Sequence, residues 1–111
     1  MLSFSKQKKP SKSYDFHKSH KEIANQNLNM RQSGCLSLDL AYVGSGRLDG
    51  TWGYDLDLID MAAGALISQE GGALVSNFDG DPNFIDGNNI ISATPKIYKS
   101  MVKSIKPYYK F

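Results

Sequence analysis

Three aspartates stand close together just before the most apolar helix that the sequence predicts. Asp55 and Asp57 alternate with apolar residues, and Asp60 follows three residues later, in the stretch YDLDLIDMAAGALISQEGG. Asp57 can cap the helix, and Asp60 can act as the reciprocal acid of a capping box. Three unpaired carboxylates repel one another, however, unless a cation lies among them. Hard oxygen ligands of this kind suit Mg²⁺, so a helix cap and a metal ligand both remain open for Asp60.

A second acidic stretch, DGDPNFIDG, occupies residues 79–87. Its Asp79, Asp81 and Asn83 stand at alternate positions, as at the start of a calcium-binding loop. The sixth position of such a loop requires glycine and the twelfth an acid, but the chain has Phe84 and Ile90 there. The composition therefore favours a turn rich in Asp, Gly and Pro over a calcium site.

The cysteine and the two histidines are weaker candidates for chemistry. Cys35 lies far in sequence from His17 and His20, which favours a small buried residue over a thiol nucleophile. His17 and His20 are three residues apart and can share a helix face. Two histidines without a third ligand are weak evidence for a metal site, so we interpret them as solvated polar residues.

The charges are segregated along the chain. Residues 1–34 carry seven Lys or Arg and two acids, residues 35–95 carry nine acids and a single Arg, and residues 96–111 carry five Lys and no acid. Either the basic ends are solvated termini, or the acidic centre surrounds a cation while the basic ends meet a polyanion such as nucleic acid. The basic run KQKKPSK lacks the interleaved aromatic residues that nucleic-acid binding would favour.

The length and composition restrict the class of protein. A chain of 111 residues forms one domain or part of a larger one. A single cysteine excludes an intrachain disulfide and suggests a reducing compartment. The N-terminus has no apolar signal-peptide core, and the longest apolar run, residues 61–67, is too short to span a bilayer. We therefore expect a cytoplasmic protein without a membrane segment.

Hydrophobic periodicity and turn residues predict an alternation of helices and strands. Residues 4–13 are interpreted as a loop or tail, followed by a helix over 14–25 and a short strand within 25–31. Beyond residue 33 the predicted elements are a helix within CLSLDLAYVGSGRLDG that Gly44 and Gly46 weaken at its end, a strand over 48–54, a helix over 58–70, strands over 73–77 and 89–93, and a helix over 95–106. The order α-β-α-β-β-α predicts an α/β fold, a layered α/β sandwich.

Three local details are also predicted. The stretch LSLDL alternates like a strand, but its continuation AYV favours a helix. In the helix over 58–70, the inward stripe is expected to comprise Leu58, Ala62, Ala65, Leu66 and Gln69, and Gly71-Gly72 to end the helix. Ser33 and Thr94 are the expected capping residues of the helices that follow them, the second one standing before Pro95.

Two blocks of the sequence together resemble a known family. RQSGCLSLDLAYVGSGRLDG followed by WGYDLDLIDMAAGALISQEGG resembles the C-terminal half of inositol monophosphatase family enzymes. These have an Arg-x-x-Gly-Ser-Ala-Ala-Leu-Asp-Leu helix, a Gly-Arg-x-Asp-Gly strand, and a Trp-Asp-x-Ala-Ala-Gly helix that ends in Glu-Ala-Gly-Gly. The resemblance is close from residue 31 to about 105 and loose over residues 1–30.

The resemblance implies a metal-dependent phosphatase site. The Asp of the family's Trp-Asp motif, a ligand of a catalytic Mg²⁺, corresponds to Asp60. The segment whose backbone contacts the substrate corresponds to Gly34, Cys35 and Leu36. In complete enzymes the metals would polarise a phosphate monoester, such as inositol phosphate or another phosphorylated polyol or sugar, and lower the pKa of an attacking water.

Several departures from the family pattern bear on the substrate and on activity. Gly53 replaces a Glu that binds a sugar hydroxyl in the family, and Ile59 replaces the Trp of the Trp-Asp motif. The family's N-terminal half, with its metal-binding Glu and its Asp-Pro-x-Asp-Gly-Thr segment, has no counterpart here. The Asp81-Pro82 and Asp86-Gly87 pairs imitate that segment, but two extra residues separate them and they follow the metal helix.

We therefore expect a basic N-terminal segment over residues 1–30 and an inositol monophosphatase-like C-terminal domain over 31–111. The chain is expected to be inactive alone and to form a homodimer or to be complemented by an N-terminal half. The alternative is a non-catalytic interaction domain that oligomerises, or whose basic ends bind nucleic acid or transcription machinery.

Overall fold

The chain forms alternating helices and strands. This computed structural model describes residues 1–5, 14–25, 29–32, 36–54, 56, 58–84 and 89–108, with the side chains of residues 5, 31, 58 and 60 excluded. Within these ranges the elements are β1 (Leu2–Ser5), α1 (Phe16–Ala24), β2 (Met30–Arg31), α2 (Leu36–Gly44), β3 (Gly50–Gly53), α3 (Leu58–Glu70), β4 (Leu74–Ser76), β5 (Ile90–Ala93) and α4 (Pro95–Ile105), which continues into a 3-10 turn at Lys106–Tyr108.

The strands form one mixed sheet in the order β2-β1-β3-β5-β4. β1 pairs in parallel with both β2 and β3, whereas β5 is antiparallel to β3 and β4. The register sets Ser3 opposite Thr51, and Thr51 opposite Ser92. The predicted α/β sandwich and the order α-β-α-β-β-α after residue 33 are confirmed.

Each face of the sheet carries a pair of helices over its own apolar core. On one face, Phe16 and Ile23 of α1 and Met101 and Ile105 of α4 cover a core that includes Trp52. On the other face, α2 and α3 cover a second core, with the buried side chains of Leu36, Leu40, Met61, Ala65, Val75 and Ile90. Ile90 and Ile91 belong to different cores because successive side chains of a strand point to opposite faces.

The structure corrects the interpretation of residues 4–13 as a loop. Phe4 and Ser5 belong to β1, which lies between β2 and β3 in the sheet. The sparse apolar pattern of LSFS hid this strand because Ser3 is buried, with its hydroxyl bonded to that of Thr51 at 2.7 Å. Residues 6–13 lie outside the described ranges. None of the helices in those ranges has the length and apolar character that crossing a membrane requires.

The inward face of α3 was predicted wrongly. Its buried residues are Met61, Gly64, Ala65 and Ser68, while Ala62 and Gln69 are exposed and Leu66 is 56% exposed. The absence of a side chain at Gly64 and the small side chain of Ser68 let α2 approach closely, and Leu66 and Ile67 lie on the other, exposed side of α3. The size of the apolar side chains alone was therefore a wrong guide to the residues of α3 that face inward.

The ends of the two long helices show one prediction confirmed and one corrected. Gly72, at φ +92°, ends α3, and the amide of Ala73 donates to the carbonyl of Ser68 at 3.0 Å. Thr94 occupies the N-cap of α4, but its hydroxyl makes no capping bond. Its backbone carbonyl instead accepts from the amides of Ile97 and Tyr98 at 3.0 Å each. The expected cap at Ser33 lies outside the described residues.

Helices α2 and α3 cross at unusually short range because glycines stand at their contact. A Cβ on Gly71 would lie 1.9 Å from the carbonyl oxygen of Gly44, and one on Gly64 would lie 2.8 Å from Cβ of Leu40. The hydroxyl of Ser68 also donates to the carbonyl of Leu40. Neither helix can move away from this arrangement without breaking that bond and opening the second core.

Replacement of Gly71 by Ala is expected to lower the free energy of unfolding by about 1–3 kcal/mol or more, because the added methyl meets backbone rather than a flexible side chain. Urea denaturation measures the change. Gln69→Ala, at an exposed position of the same helix, is the control and should change stability by less than about 0.5 kcal/mol. Equal stability of the two variants would contradict the close crossing.

The core beneath α1 contains a buried tyrosine whose ionisation opposes folding. Tyr14 is 4% exposed, its ring lies 4.8 Å from that of Phe78 and 5.0 Å from that of Tyr54, and its hydroxyl bonds to that of Ser19. Burial raises the pKa of Tyr14 well above its usual value, although the bond to Ser19 opposes the shift. In the unfolded chain the same hydroxyl ionises near pH 10.

Stability should therefore fall as the pH rises above about 10, by up to about 1.4 kcal/mol per pH unit from this group, because the unfolded chain then loses a proton that the folded chain retains. Tyr14→Phe should remove that part of the slope, as measured by urea denaturation between pH 8 and pH 11. Tyr108→Phe, at a half-buried tyrosine, is the control. The same slope in Tyr14→Phe as in the unmodified chain would contradict the assignment.

Candidate functional site

The contacts between α2 and α3 show that the two helices run in parallel. Gly64 of α3 lies against Ser37 and Leu40 of α2. Further along, Ile67 and Ser68 of α3 lie against Gly44 of α2, so the residue numbers of both helices increase in the same direction along their contact. The N-terminal ends of both helices consequently lie at the same end of this layer. The first backbone amides of an α-helix donate to no carbonyl of their own helix, and they lie at the positive end of the helix dipole, so such ends attract anions.

Asp60 lies at these joined helix ends. It is the third residue of α3, within the first turn and one turn before Gly64, or about 6 Å along the axis. Leu36 begins α2 directly before Ser37, so the first turns of the two helices are at nearly the same level. The side chain of Asp60 and the whole of Asp55 and Asp57 lie outside the described residues. A capping role and a metal-ligand role for Asp60 both stay predictions.

The predicted substrate-contacting segment is only partly described. Gly34 and Cys35 lie outside the described residues. Leu36 is 5% exposed and belongs to the core under α2 and α3, so its side chain faces away from any ligand and only its backbone remains for the predicted contact. Gly53 is buried at the end of β3, paired with Ser5 and Ile90.

The described part of the chain does not complete a Mg²⁺ site. No group of three or more His, Cys, Asp or Glu side chains that could hold a metal occurs within it. Mg²⁺ requires near-octahedral oxygen coordination and retains much of its water shell, so one carboxylate binds it weakly. The helix ends suit an anion, and the role of Asp60 as one metal ligand stays a prediction.

The loop with the alternating acids forms the turn that the sequence favoured. The side-chain oxygen of Asn77 accepts the amides of Asp79 and Asp81, both at 2.9 Å, and that of Asp81 accepts the amide of Asn83 at 2.8 Å. Asp79 also pairs with Lys106 at 3.0 Å, and Gly80 has φ +91°. The carboxylate of Asp81 is thus used within the turn and that of Asp79 in the ion pair with Lys106, while Asp86 and Gly87 lie outside the described residues.

The two histidines belong to an aromatic cluster. His20 is half-buried, with its ring 5.1 Å from that of Phe4 and 5.5 Å from that of Phe16. His17 is exposed beside Phe16, at 5.8 Å between ring centroids. The solvated interpretation therefore holds for His17, whereas His20 contributes to packing.

Two polar features beneath α2 and α3 were missed by sequence reasoning. A row of buried hydroxyls crosses the sheet at Ser3, Thr51 and Ser92, and that of Ser92 has no hydrogen-bond partner among the described residues. Asp39, in α2, is a fully buried acid. The signal for Asp39 was visible as the single acid inside the apolar run LSLDLAYV, and the signal for the hydroxyls was their alternation with Leu2, Trp52 and Ile91.

Comparisons with known proteins agree with the resemblance. The chain is 41% identical to the Nus factor SuhB of Pseudomonas aeruginosa over 88 residues, which are 79% of this chain and 32% of that protein. It is 38% identical to an inositol-1-monophosphatase of Mesorhizobium japonicum over 77 residues, 69% of this chain and 29% of that protein. The chain thus spans about a third of the length of these curated relatives.

The fold agrees with that of solved relatives. The extragenic suppressor protein suhB of Bartonella henselae superposes with a TM-score of 0.81 at 27% identity, over 93% of this chain and 40% of that one. An IMPase of Thermotoga maritima superposes with a TM-score of 0.75 at 26% identity, over 93% of this chain and 39% of that one. A sequence model of the inositol monophosphatase family matches residues 2–108. With its sheet, its paired helices and this match, the chain belongs to the inositol monophosphatase family.

Proposed function

We propose that this chain is one part of a Mg²⁺-dependent phosphomonoesterase that acts on a small phosphorylated polyol or sugar. The observation that carries the proposal is the parallel packing of α2 and α3, which brings two helix N-termini together with Asp60 in the first turn of α3. Backbone amides at such ends bind phosphate oxygens. Membership of the inositol monophosphatase family supports the same class of reaction.

The role of this chain in that reaction is binding and positioning. The amides that begin α2 and α3 would hold the phosphate group, and Asp60 would supply one carboxylate ligand to the metal. The tight glycine contacts between the helices hold these ends at one level, which preorganises them for a single ligand. Gly53, where the family has a Glu, leaves the polyol part of the substrate with one hydrogen-bonding group fewer.

The isolated chain should hydrolyse no phosphate monoester at a measurable rate, because the described residues supply too few metal ligands. A colorimetric phosphate assay with inositol phosphate and Mg²⁺ measures this. Turnover by the 111-residue chain alone that depends on both Mg²⁺ and Asp60 would contradict the proposal.

Activity should appear when the chain is co-expressed with the part of the Pseudomonas aeruginosa relative that lies outside its match to this chain. Asp60→Asn should then lower kcat by at least about 100-fold, the size of effect expected for loss of a group that acts at the reacting centre. Asp81→Asn is the matched control, because Asn retains the oxygen that accepts the amide of Asn83. Equal activity of the two variants would contradict the role of Asp60.

A second candidate function is binding of a polyanion such as single-stranded RNA. Lys96, Lys99 and Lys103 are exposed along one face of α4, and α1, which packs beside it, adds Lys18 and Lys21. Several curated relatives are named Nus factors, which favours a partner in transcription for those proteins. The exposed lysines of α4 and α1 support this candidate through their positive charge alone.

Charge reversal at two of these lysines, Lys99→Glu with Lys103→Glu, tests the second candidate. Binding of a 20-nucleotide single-stranded RNA should weaken at least tenfold in the double variant, and binding by the unmodified chain should weaken steeply with salt. Arg47→Glu, at an exposed loop position, is the control. Binding that is absent or independent of salt would dispose of this candidate.

A further inference from the structure

Asp39 is a fully buried acid to which the proposed function assigns no role. It belongs to the buried face of α2, which consists of Leu36, Asp39, Leu40 and Val43 at the spacing of one side of a helix. Leu36 and Leu40 lie in the core that α2 covers, so Asp39 is directed inward with them. An ionised carboxylate in such a place is costly unless it pairs with a cation and accepts hydrogen bonds.

The side of α2 that carries Asp39 is turned away from α3. Helix α3 meets α2 at Leu40 and Gly44. With 3.6 residues per turn, Asp39 lies about 100° from Leu40 and about 140° from Gly44 around the axis of α2. Helix α2 contacts β1, β3 and β5, and α3 contacts β4 and β5, so α2 is the helix nearer to β1. Because the strand order is β2-β1-β3-β5-β4, Asp39 is directed towards β1 and β2.

The register of the sheet brings an arginine to the same place. Ser3 of β1 lies opposite Thr51 of β3, and Thr51 points to the side of α2 because its neighbour Trp52 belongs to the core on the other face. The register of β2 sets Arg31 opposite Ser3. Residues that lie opposite each other in neighbouring strands share a face of the sheet, so position 31 is on the face that α2 covers.

Few cations are available to Asp39 in this layer. In the described parts of the sheet, of α2 and α3 and of the loops that join them, the basic residues are Arg31 and Arg47. Arg47 is exposed beyond the C-terminal end of α2, with its guanidinium 5.4 Å from the ring centroid of Tyr42, whereas Asp39 lies near the start of the helix. The helices that carry lysines, α1 and α4, cover the other face. Arg31 is therefore the cation that the topology brings to Asp39.

We propose that Arg31 and Asp39 form a buried ion pair that fixes the connection between β2 and α2. The side chain of Arg31 is outside those described, and the pair is inferred from the placement of the two residues. Arginine suits this place because its guanidinium is always charged and donates two parallel hydrogen bonds to one carboxylate. Since β2 ends at Arg31 and α2 begins at Leu36, the pair links the two sides of residues 32–35.

The connection that the pair would fix contains Gly34 and Cys35, two of the predicted substrate-contacting residues. The pair therefore acts as a positioning device for the first turn of α2 and the segment before it, and in this respect the inference rests on the proposed function. Neither Arg31 nor Asp39 is assigned a contact with the substrate. Their effect on binding would be transmitted through the backbone of residues 32–35.

A double-mutant cycle tests the pair without any enzyme assay, so its failure is distinguishable from failure of the phosphatase proposal. Urea denaturation of the 111-residue chain gives the unfolding equilibrium constants of Arg31→Gln, Asp39→Asn and their combination. Each single change should raise this constant at least about 100-fold, because it leaves a buried partner unpaired. The combination should raise it by no more than about the larger single effect. Arg31→Lys, which retains the charge, should have a smaller effect, and it replaces Arg31→Gln in the cycle if that variant does not fold.

The matched control is Arg47→Gln, at the other arginine of this layer, whose effect should simply add to that of Asp39→Asn. Additive effects of Arg31→Gln and Asp39→Asn would overturn the proposal. Coupling of Asp39 to Arg47 would overturn it as well, because the partner would then be the wrong arginine.

The positioning role has its own readout, because Cys35 is the single cysteine of the chain. Under native conditions Arg31→Gln should raise the rate at which a maleimide modifies this thiol at least about tenfold beyond what its unfolded fraction explains, since the connection then opens locally. Arg31→Lys should restore slow modification. In Gly71→Ala, a destabilised variant with the pair intact, the rate should follow the unfolded fraction alone. The same behaviour in Arg31→Gln would overturn the positioning role.

Discussion

The close contact between α2 and α3 is the constraint on which the site depends. Glycine at positions 44, 64 and 71 removes the side chains that would separate the helices, and the hydroxyl of Ser68 bonds to the backbone of Leu40 across the gap. Because the helices run in parallel, this contact also sets their N-terminal ends at one level. The same glycines thus serve packing and the position of Asp60.

The close packing of α2 and α3 also determines which residues lie on the exposed side of α3. Small residues on the inner side leave the larger apolar residues, Leu66 and Ile67, on the outer side. A helix with apolar side chains on both sides is normally covered on both sides. The chain spans about a third of the length of its curated relatives, and its described residues hold no group of three or more side chains that could bind a metal.

Much of the fold was predictable, because turn residues and periodicity are local signals. The double glycine after Glu70 and the Thr94-Pro95 pair marked helix boundaries correctly. The residues of α3 that face inward could not be predicted from the size of its apolar side chains. The contact with α2 determines which residues are buried, and the sequence of α3 alone carries no information about that contact. β1 was missed because Ser3, a polar residue, is buried in it with its hydroxyl bonded to that of Thr51 rather than packed in an apolar core.

For the site, the sequence predicts a role for Asp60 and the helix that carries it, and the structure adds the second helix end beside the first turn of α3. Asp39 was visible in the sequence as the single acid inside an apolar run, but this position could not show that Asp39 is fully buried, because an acid within an apolar helix also suits a solvated edge. The prediction of Asp60 as a metal ligand follows from the resemblance and not from spacing alone. Spacing left Asp60 equally suited to a helix cap.

The most direct measurement is a crystal structure of this chain in complex with the remaining family fold, grown with Mn²⁺ in place of Mg²⁺ so that anomalous scattering locates the ion. Our account predicts an ion bound to the carboxylate of Asp60, beside the first turns of α2 and α3, with its other protein ligands supplied by the added polypeptide. A carboxylate of Asp60 bonded to the backbone amides of its own helix, with no ion near it, would contradict the account.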